Sequence, residues 1–300
     1  MNAHVEILGR VGPQQVAEVL ALAEEAARAD GVRPLNEHVT LHLRYGGDEH
    51  TRAFLLYADG ALAGFAHVDP TDPVAGPSGE LVVHPAYRRR GLGRRLLDAI
   101  LAETGDRLRL WAHGDTPAAQ RLAASAGFHR ARVLWQMRRS LSDPLPPPAL
   151  PAGVRIGTFT PGADEQAWLE LNARAFADHP EQGAWTLEDL RRREREPWFD
   201  PAGFFLAWRG DRLAGFHWTK VHGSGEHAHE PIGEVYVVGV DPEERGTGLG
   251  RALTLTGLRH LQGKGLDHVM LYVDEDNRRA VRMYESLGFT RWRVDVMYRR

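Results

Sequence analysis

The sequence predicts an α/β fold built as two tandem copies of one domain, each a mixed sheet with helices packed on it. Three observations lead there. The chain has 300 residues, which at roughly 150 residues per domain suits two domains. A proline-rich stretch, SDPLPPPALPAG at residues 142–153, interrupts it near the middle. Landmarks on one side of that stretch also recur in the same order on the other. Leu62-Ala63-Gly64-Phe65 returns as Leu213-Ala214-Gly215-Phe216 at an offset of 151. Arg88-Arg89-Arg90-Gly91-Leu92-Gly93 is matched by Arg245-Gly246-Thr247-Gly248-Leu249-Gly250 at 157, and Gly127-Phe128 by Gly288-Phe289 at 161. A drift of only ten residues across ordered landmarks describes a duplicated domain with small insertions in the second copy.

The elements of each copy follow in parallel. A helix is expected first, at 13–30 and 163–177. Paired strands come next, 52–58 with 61–68 and 204–209 with 212–221, and the short Asp-Gly and Gly-Asp signals between them suit hairpins. An apolar strand follows at 80–83 or 234–240. A glycine-bearing turn then opens a helix whose apolar residues fall on one face, at Leu92, Leu96, Leu97, Ile100 and Leu101, or at Leu249, Leu253, Leu255, Leu258 and Leu261. Another strand (107–112; 268–273), a helix ending at Gly127 or Gly288, and a last strand complete each copy. Proline fixes φ and lacks an N–H, so 142–153 reads as a stiff extended linker between an N-terminal domain, residues 1–141, and a C-terminal domain, residues 154–300.

Composition narrows the function classes. Hydrophobic residues are 43% and charged residues 26%, ordinary for a globular protein. Lys plus Arg is 37 against 40 Asp plus Glu, a net charge of −3 that argues against a general nucleic-acid binder. No apolar run reaches the length of a membrane span, and residues 1–12 do not read as a signal peptide, so a cytoplasmic protein is expected. With no cysteine, disulfides, cysteine metal sites and a cysteine nucleophile are excluded.

The sharpest chemical motif is Arg-x-x-Gly-x-Gly between a strand and a helix. Glycine lets the backbone approach a ligand, and the first helical N–H groups, unpaired and at the positive end of the dipole, suit a pyrophosphate. The motif is neither a dinucleotide fingerprint nor a P-loop, because the first Gly-x-Gly and the Gly-Lys-Ser/Thr are absent.

Val82-Val83-His84-Pro85 ahead of the first turn, Val238-Gly239-Val240-Asp241-Pro242 ahead of the second, and the later Asn277-Arg278-Arg279-Ala280 with Tyr284 and Gly288-Phe289 resemble the acetyl-CoA motifs of the GCN5-related N-acetyltransferases. That resemblance implies two tandem domains of this family, using acetyl-CoA as co-substrate and no metal. It places acetyl-CoA contacts at Val238, Gly239 and Val240, and on the turn at Arg245, Gly246, Thr247, Gly248, Leu249, Gly250 and Arg251. A further segment is Asn277, Arg278, Arg279, Ala280, Val281 and Arg282. In the first copy the matching positions are Leu81, Val82 and Val83, then Arg89, Arg90, Gly91, Leu92, Gly93 and Arg94.

Four further stretches, Trp111-Ala112-His113-Gly114, His179-Pro180-Glu181-Gln182-Gly183, Gly215-Phe216-His217-Trp218-Thr219-Lys220 and Gly233-Glu234-Val235-Tyr236-Val237-Val238, resemble one tandem branch of the family. That branch acetylates the cysteinyl amine of cysteinyl-glucosaminyl-inositol in the last step of mycothiol formation, and the resemblance runs from about residue 32 to residue 298. It implies substrate contacts at Glu37, Glu181, Lys220, Glu234 and Tyr272. The expected partners are a small-molecule amine and acetyl-CoA, with no nucleic acid and no membrane, for a monomeric enzyme. A tandem acetyltransferase acting on another small amine, such as an aminoglycoside or a peptide N-terminus, is the alternative. A catalytically silent acyl-CoA sensor is a second.

Acetyl transfer to an amine needs a polarised carbonyl, a neutral amine and a proton for the departing thiolate. The resemblance gives Val238 the strand N–H that polarises the thioester, with Val82 as its first-copy counterpart, and makes Glu234 the base and Tyr284 the acid. Applying the offsets, Glu234 falls on Pro77 and Tyr284 on Ala123, so only the C-terminal copy is expected to catalyse, while the N-terminal copy is expected to hold CoA. Glu80, a possible substitute base, falls opposite Val237. The presence of Glu234 and Tyr284 argues against the silent sensor.

Three other signals read as structural. His222, His227 and His229 lack a third zinc ligand at a convincing spacing and read as loop histidines. The run RRRERE at 191–196 reads as the solvated face of a helix. Most of the eight tryptophans read as core or interdomain contacts.

Overall fold

The computed structural model describes residues 2–46, 50–72, 75–223 and 231–300. In the first copy the elements are β1 (Ala3–Leu8), α1 (Pro13–Asp30), α2 (Glu37–Tyr45), β2 (Arg52–Ala58), β3 (Ala61–Asp69), β4 (Ser78–Val83), α3 (Leu92–Thr104), β5 (Arg109–Ala112), α4 (Pro117–Ser125) and β6 (His129–Ser140). In the second they are β7 (Val154–Thr158), α5 (Glu165–Ala175), α6 (Pro180–Gly183), α7 (Leu187–Glu194), β8 (Phe204–Arg209), β9 (Arg212–His222), β10 (Ile232–Val240), α8 (Leu249–Gly263), β11 (His268–Asp274), α9 (Arg278–Ser286) and β12 (Thr290–Arg299). The mixed α/β organisation expected from the sequence is present in both copies. Each copy, however, begins with a strand, β1 or β7, where the sequence suggested a helix. α2, α6 and α7 were also not foreseen.

Local chemistry explains the boundaries. Pro13 starts α1, where its missing N–H costs nothing, and Gly31 ends it in the left-handed region at φ 67°. Asn36 caps α2 by accepting from the Val39 N–H, and Thr186 with Asp189 forms a reciprocal capping box on α7. The β2–β3 hairpin turns on Asp59 and Gly60 at φ 49° and 87°, the left-handed pair that a two-residue hairpin loop requires.

The chain forms two compact units. Unit 1 is Met1–Trp135 with Asp274–Asp276 and Arg293–Arg300; unit 2 is Gln136–Val273 with Asn277–Trp292. Each copy thus hands its last strand to the other unit. In unit 1 the strand order is β1-β2-β3-β4-β5-β12, antiparallel except for the parallel β4–β5 pair. In unit 2 the order β7-β8-β9-β10-β11-β6 repeats the scheme, with β10–β11 parallel. The proline-rich segment is not where the units divide. It lies in unit 2 and is held there, with the Leu145 side chain buried and its carbonyl accepting from Arg259 Nη1 at 3.1 Å.

Both faces of each sheet are covered. In unit 1, alternate residues of β2 divide between them: Phe54 and Leu56 pack with Leu96 and Ile100 of α3, while Leu55 packs with Val19 and Leu22 of α1. In unit 2, Phe204, Phe216 and Trp218 pack against Trp168 of α5, while Ala207 and Ala214 face Leu249 and Leu253 of α8. Trp168 and Trp218 are fully buried, whereas Trp292 is 56% exposed and belongs to no core. Among the described residues no helix is long and apolar enough to cross a membrane.

Candidate active site

The two turns share one backbone shape. In unit 2, Gly246 and Gly248 sit at φ 89° and 91°; in unit 1 the same places are held by Arg89 at 62° and Gly91 at 78°. Gly248 caps α8 and Gly91 caps α3; neither glycine offers a side-chain cap, and at α8 the first N–H, that of Leu249, donates to Thr247 Oγ1 at 3.4 Å. A Cβ built on Gly91, Gly246 or Gly248 would meet no atom within 4 Å, so open ground lies before both helix ends. First-turn N–H groups that have no helical partner, a positive dipole end and this space fit a pyrophosphate. Different ion pairs brace the two turns. Arg88 makes a two-pronged bond to Asp30 at 2.7 and 2.8 Å. In unit 2 the buried Glu244 accepts from Arg209 at 2.7 and 2.9 Å and from Arg212 at 2.8 Å.

The strand before each turn differs between the copies. β9 and β10 pair Lys220 with Glu234 and Thr219 with Val235, then skip Tyr236 so that Trp218 faces Val237 and His217 faces Val238. Tyr236 is an extra residue, a β-bulge that bends the strand and redirects its side chains. On the other side, β10 pairs with β11 only from Gly233 to Val235, although it continues to Val240. The backbone around Val238 therefore lacks a strand partner on that side. The β3–β4 pairing has no such shift, and β4 pairs with β5 through Glu80↔Trp111.

This register corrects two sequence equivalences. Counting from the matching Gly64 and Gly215, Leu81 and not Val82 stands where Val238 stands, and Ser78 and not Pro77 stands where Glu234 stands. The bulge accounts for the second shift, because it lies between Glu234 and the turn; Val238 lies beyond it, where the turn's offset of 157 still holds and gives Leu81. Ser78, like Pro77, has no carboxylate. Glu80 does stand where Val237 stands, but its carboxylate is committed, accepting from the Asn36 N–H at 2.8 Å and lying 3.0 Å from His113 Nε2. His113 Nδ1 in turn lies 2.9 Å from Asp295.

In unit 2 the predicted groups take definite places. Glu234 is 7% exposed, directly across from Lys220, and its Oε2 accepts from His222 Nε2 at 2.7 Å. Lys220 Nζ lies 4.3 Å from the Trp198 ring centre and 5.3 Å from that of Tyr236, a cation over two aromatic faces. Arg193 stacks on Trp185 at 3.8 Å and donates to the Tyr236 hydroxyl at 2.8 Å. Met270 is the register partner of Glu234, so Tyr272, two residues on, shares its face of the sheet; Gln136 donates to the Tyr272 hydroxyl at 3.0 Å. Tyr284 lies on α9 with its ring edge-on to Phe289, and burial pushes its phenol up to about 12. Ala123 holds the same place on α4: the Phe128 N–H bonds its carbonyl as the Phe289 N–H bonds that of Tyr284. Glu181 falls in the short helix α6, and Glu37 opens α2 in unit 1.

Two sequence readings change here. His222 is the last residue of β9, bonded to Glu234, not a loop histidine; His227 and His229 lie outside the described residues. The charge run is not solvated throughout, since Arg193 and Glu196 are buried. One signal for His222 was present: Phe216, Trp218, Lys220 and His222 alternate along a single strand face.

The N-terminal half matches the model of the Acetyltransferase (GNAT) domain over residues 49–130, and the C-terminal half that of the Acetyltransferase (GNAT) family over 166–289. A protein named mycothiol acetyltransferase from Thermobispora bispora is 69% identical over 300 residues, covering all of both chains. One of the same name from Streptosporangium roseum is 62% identical over 337, again covering both chains completely. The chain belongs to the GNAT acetyltransferase family. Among solved structures, this tandem GNAT chain is similar to a GCN5-related N-acetyltransferase from Sphaerobacter thermophilus, at TM-score 0.70 and 26% identity over 99% of this chain and 95% of that one. A tandem GNAT protein from the clavulanic acid biosynthesis pathway shares the fold at TM-score 0.71 and 22% identity, covering 98% of each chain. The protein is an acetyltransferase with two GNAT domains, and both keep the glycine-bearing turn that opens a helix.

Proposed function

We propose that this protein transfers the acetyl group of acetyl-CoA to the cysteinyl amine of cysteinyl-glucosaminyl-inositol, giving mycothiol in the last step of its formation. Full-length relatives named mycothiol acetyltransferase support the reaction. The observation that carries the site is the facing pair Glu234 and Lys220 on a bulged strand whose far half has no partner on one side.

Acetyl-CoA supplies the acetyl group as a thioester. The turn from Arg245 to Arg251 holds its pyrophosphate, and residues 277–282 together with Val238 to Val240 line its path. The Val238 N–H polarises the carbonyl. Glu234 takes the proton of the substrate ammonium, whose ordinary pKa of about 7.7 leaves much of it charged at neutral pH. Tyr284, kept protonated by burial, gives a proton to the departing thiolate. Lys220, Tyr272, Glu181 and Glu37 supply donors and acceptors to a polyol substrate.

The second copy, residues 154–300, is the catalytic one; it follows the proline-rich segment 142–153 and a first copy, residues 1–141, that holds acetyl-CoA at Leu81 to Val83 and Arg89 to Arg94 without turning it over. The enzyme works as a cytoplasmic monomer with small-molecule partners only and no metal. The test is CoA release by the full chain with cysteinyl-glucosaminyl-inositol, an aminoglycoside and a free peptide N-terminus. Turnover is expected with the first alone. A higher kcat/KM on either of the others overturns the substrate assignment.

A further inference from the structure

One face of β9 presents Phe216, Trp218, Lys220 and His222 in strict alternation. The first two are buried in the aromatic core of unit 2. The last two flank Glu234. Lys220 is its direct register partner, and His222, paired with Ile232, reaches it diagonally. The two side chains are used differently. Lys220 Nζ lies over the rings of Trp198 and Tyr236. His222 Nε2 lies 2.7 Å from Glu234 Oε2, and both side chains are nearly buried. An ionised carboxylate has only acceptors, so the imidazole must present Nε2–H to it.

A glutamate's last torsion is soft and roughly two-fold, so an unheld carboxylate samples many orientations. A short charge-assisted bond to one oxygen removes that freedom. The geometry points to His222 as the positioning residue for Glu234: its Nε2–H holds Oε2, so that Oε1 is the atom turned to the substrate. In that arrangement the ammonium proton passes to Oε1, the N–H bond breaks, its electron pair stays on the amine nitrogen, and Glu234 becomes the neutral acid. His222 keeps its proton throughout and neither touches the substrate nor changes charge. The inference rests on Glu234 being the base.

The experiment compares His222→Gln, His222→Asn and His222→Phe in the full chain, alone and combined with Glu234→Gln, with the amine and acetyl-CoA as substrates. A glutamine amide nitrogen stands about as far from the backbone as histidine Nε2; an asparagine nitrogen stands only as far as Nδ1. Loss of a bond to a charged group is worth about ten- to a hundredfold. The expected result is that His222→Phe and His222→Asn lower kcat by that factor with the KM for acetyl-CoA unchanged. His222→Gln is expected to restore it to within about threefold of wild type. In the Glu234→Gln background, His222→Phe should add less than about a twofold loss. A packing role predicts otherwise, because glutamine and asparagine would then be equally poor and the double variant would lose by the product. Wild-type kcat in His222→Phe, equal rates in the Gln and Asn variants, or additive losses each overturn the inference. If His222→Phe does not fold, the Gln and Asn pair decides alone. If Glu234→Gln keeps its rate, the base assignment itself fails and this inference falls with it. A rate lost in Glu234→Gln but kept in all three His222 variants refutes the inference and leaves the base standing.

Discussion

Glu234 illustrates what one residue can and cannot say. Its place at the start of an apolar strand and the family resemblance nominated it as the base, and the register then set it against Lys220. Replacing it by glutamine is expected to lower turnover by about 10²- to 10⁴-fold. The loss should be greatest at low pH, where more of the amine is protonated and help with deprotonation matters most. A rate within twofold of wild type from pH 6 to 9 would remove it from that role. Tyr284 is proposed for the opposite duty. With its phenol raised to about 12 by burial, it stays protonated well above neutral pH and can donate as the C–S bond breaks. Tyr284→Phe keeps the ring against Phe289 and deletes only the hydroxyl, so kcat should fall while acetyl-CoA affinity holds. Steady-state kinetics with a direct binding measurement separate this from a packing role, which predicts an unchanged kcat. Both residues were nominated by the family resemblance, whose motifs are anchored on glycine landmarks in the sequence. The His222–Glu234 bond was not legible there, since a separation of twelve residues hides a contact made only when β9 and β10 pair.

At the scale of elements, the parallel strand pair is where the two copies part company. In unit 2 a bulge at Tyr236 bends β10 and its pairing with β11 stops at Val235. In unit 1 the pairing runs one step further, and His113 clamps Glu80 of β4 to Asp295 of β12. Burial by itself would lower the His113 pKa, but the two carboxylates outweigh it and push it up to about 10. The sign of the consequence follows. A histidine whose pKa is higher folded than unfolded contributes its stability fully below about 6.5, and loses it as pH rises toward 10. Urea midpoints of the wild type should therefore fall across that window. His113→Leu, which leaves two buried carboxylates without their cation, should cost about 3 to 5 kcal/mol at pH 6. Its penalty should shrink by pH 10. A penalty independent of pH would mean that the imidazole is neutral in the folded protein. Neither Glu80 nor His113 announced this contact in the sequence, because the third member is 182 residues from His113.

For the whole molecule, duplication has kept the glycine-bearing turn in both copies, and Glu234 and Tyr284, the proposed base and acid, in one. Both turns hold the left-handed pair of residues that opens the helix end, even where the first copy must place Arg89 there. Calorimetry with acetyl-CoA on the full chain is accordingly expected to find two sites, or one tight and one weak. Gly248→Val, which forces a β-branched residue to φ 91°, should remove one and leave the other. A single site abolished by that change would deny the N-terminal copy its role in holding CoA.

The sequence by itself determined the duplication, the order of most strands and helices, the two glycine turns and the residue types available for acid and base chemistry. These are local properties: alternation, helical spacing, and glycine where φ must be positive. It missed β1 and β7, short strands at the sheet edges whose pattern is weak without the neighbour they pair with. The tertiary structure alone decided the rest. It exchanged the last strands, so that β12 supplies Asp295 to unit 1. It inserted the bulge that moves the first-copy equivalent of Glu234 from Pro77 to Ser78, and it chose His222 over Lys220 to hold Glu234. The reason is common to all three. Strand register and partner choice are set by which faces bury together across long sequence separations, and the alternation of a single strand is unchanged whichever neighbour it finds.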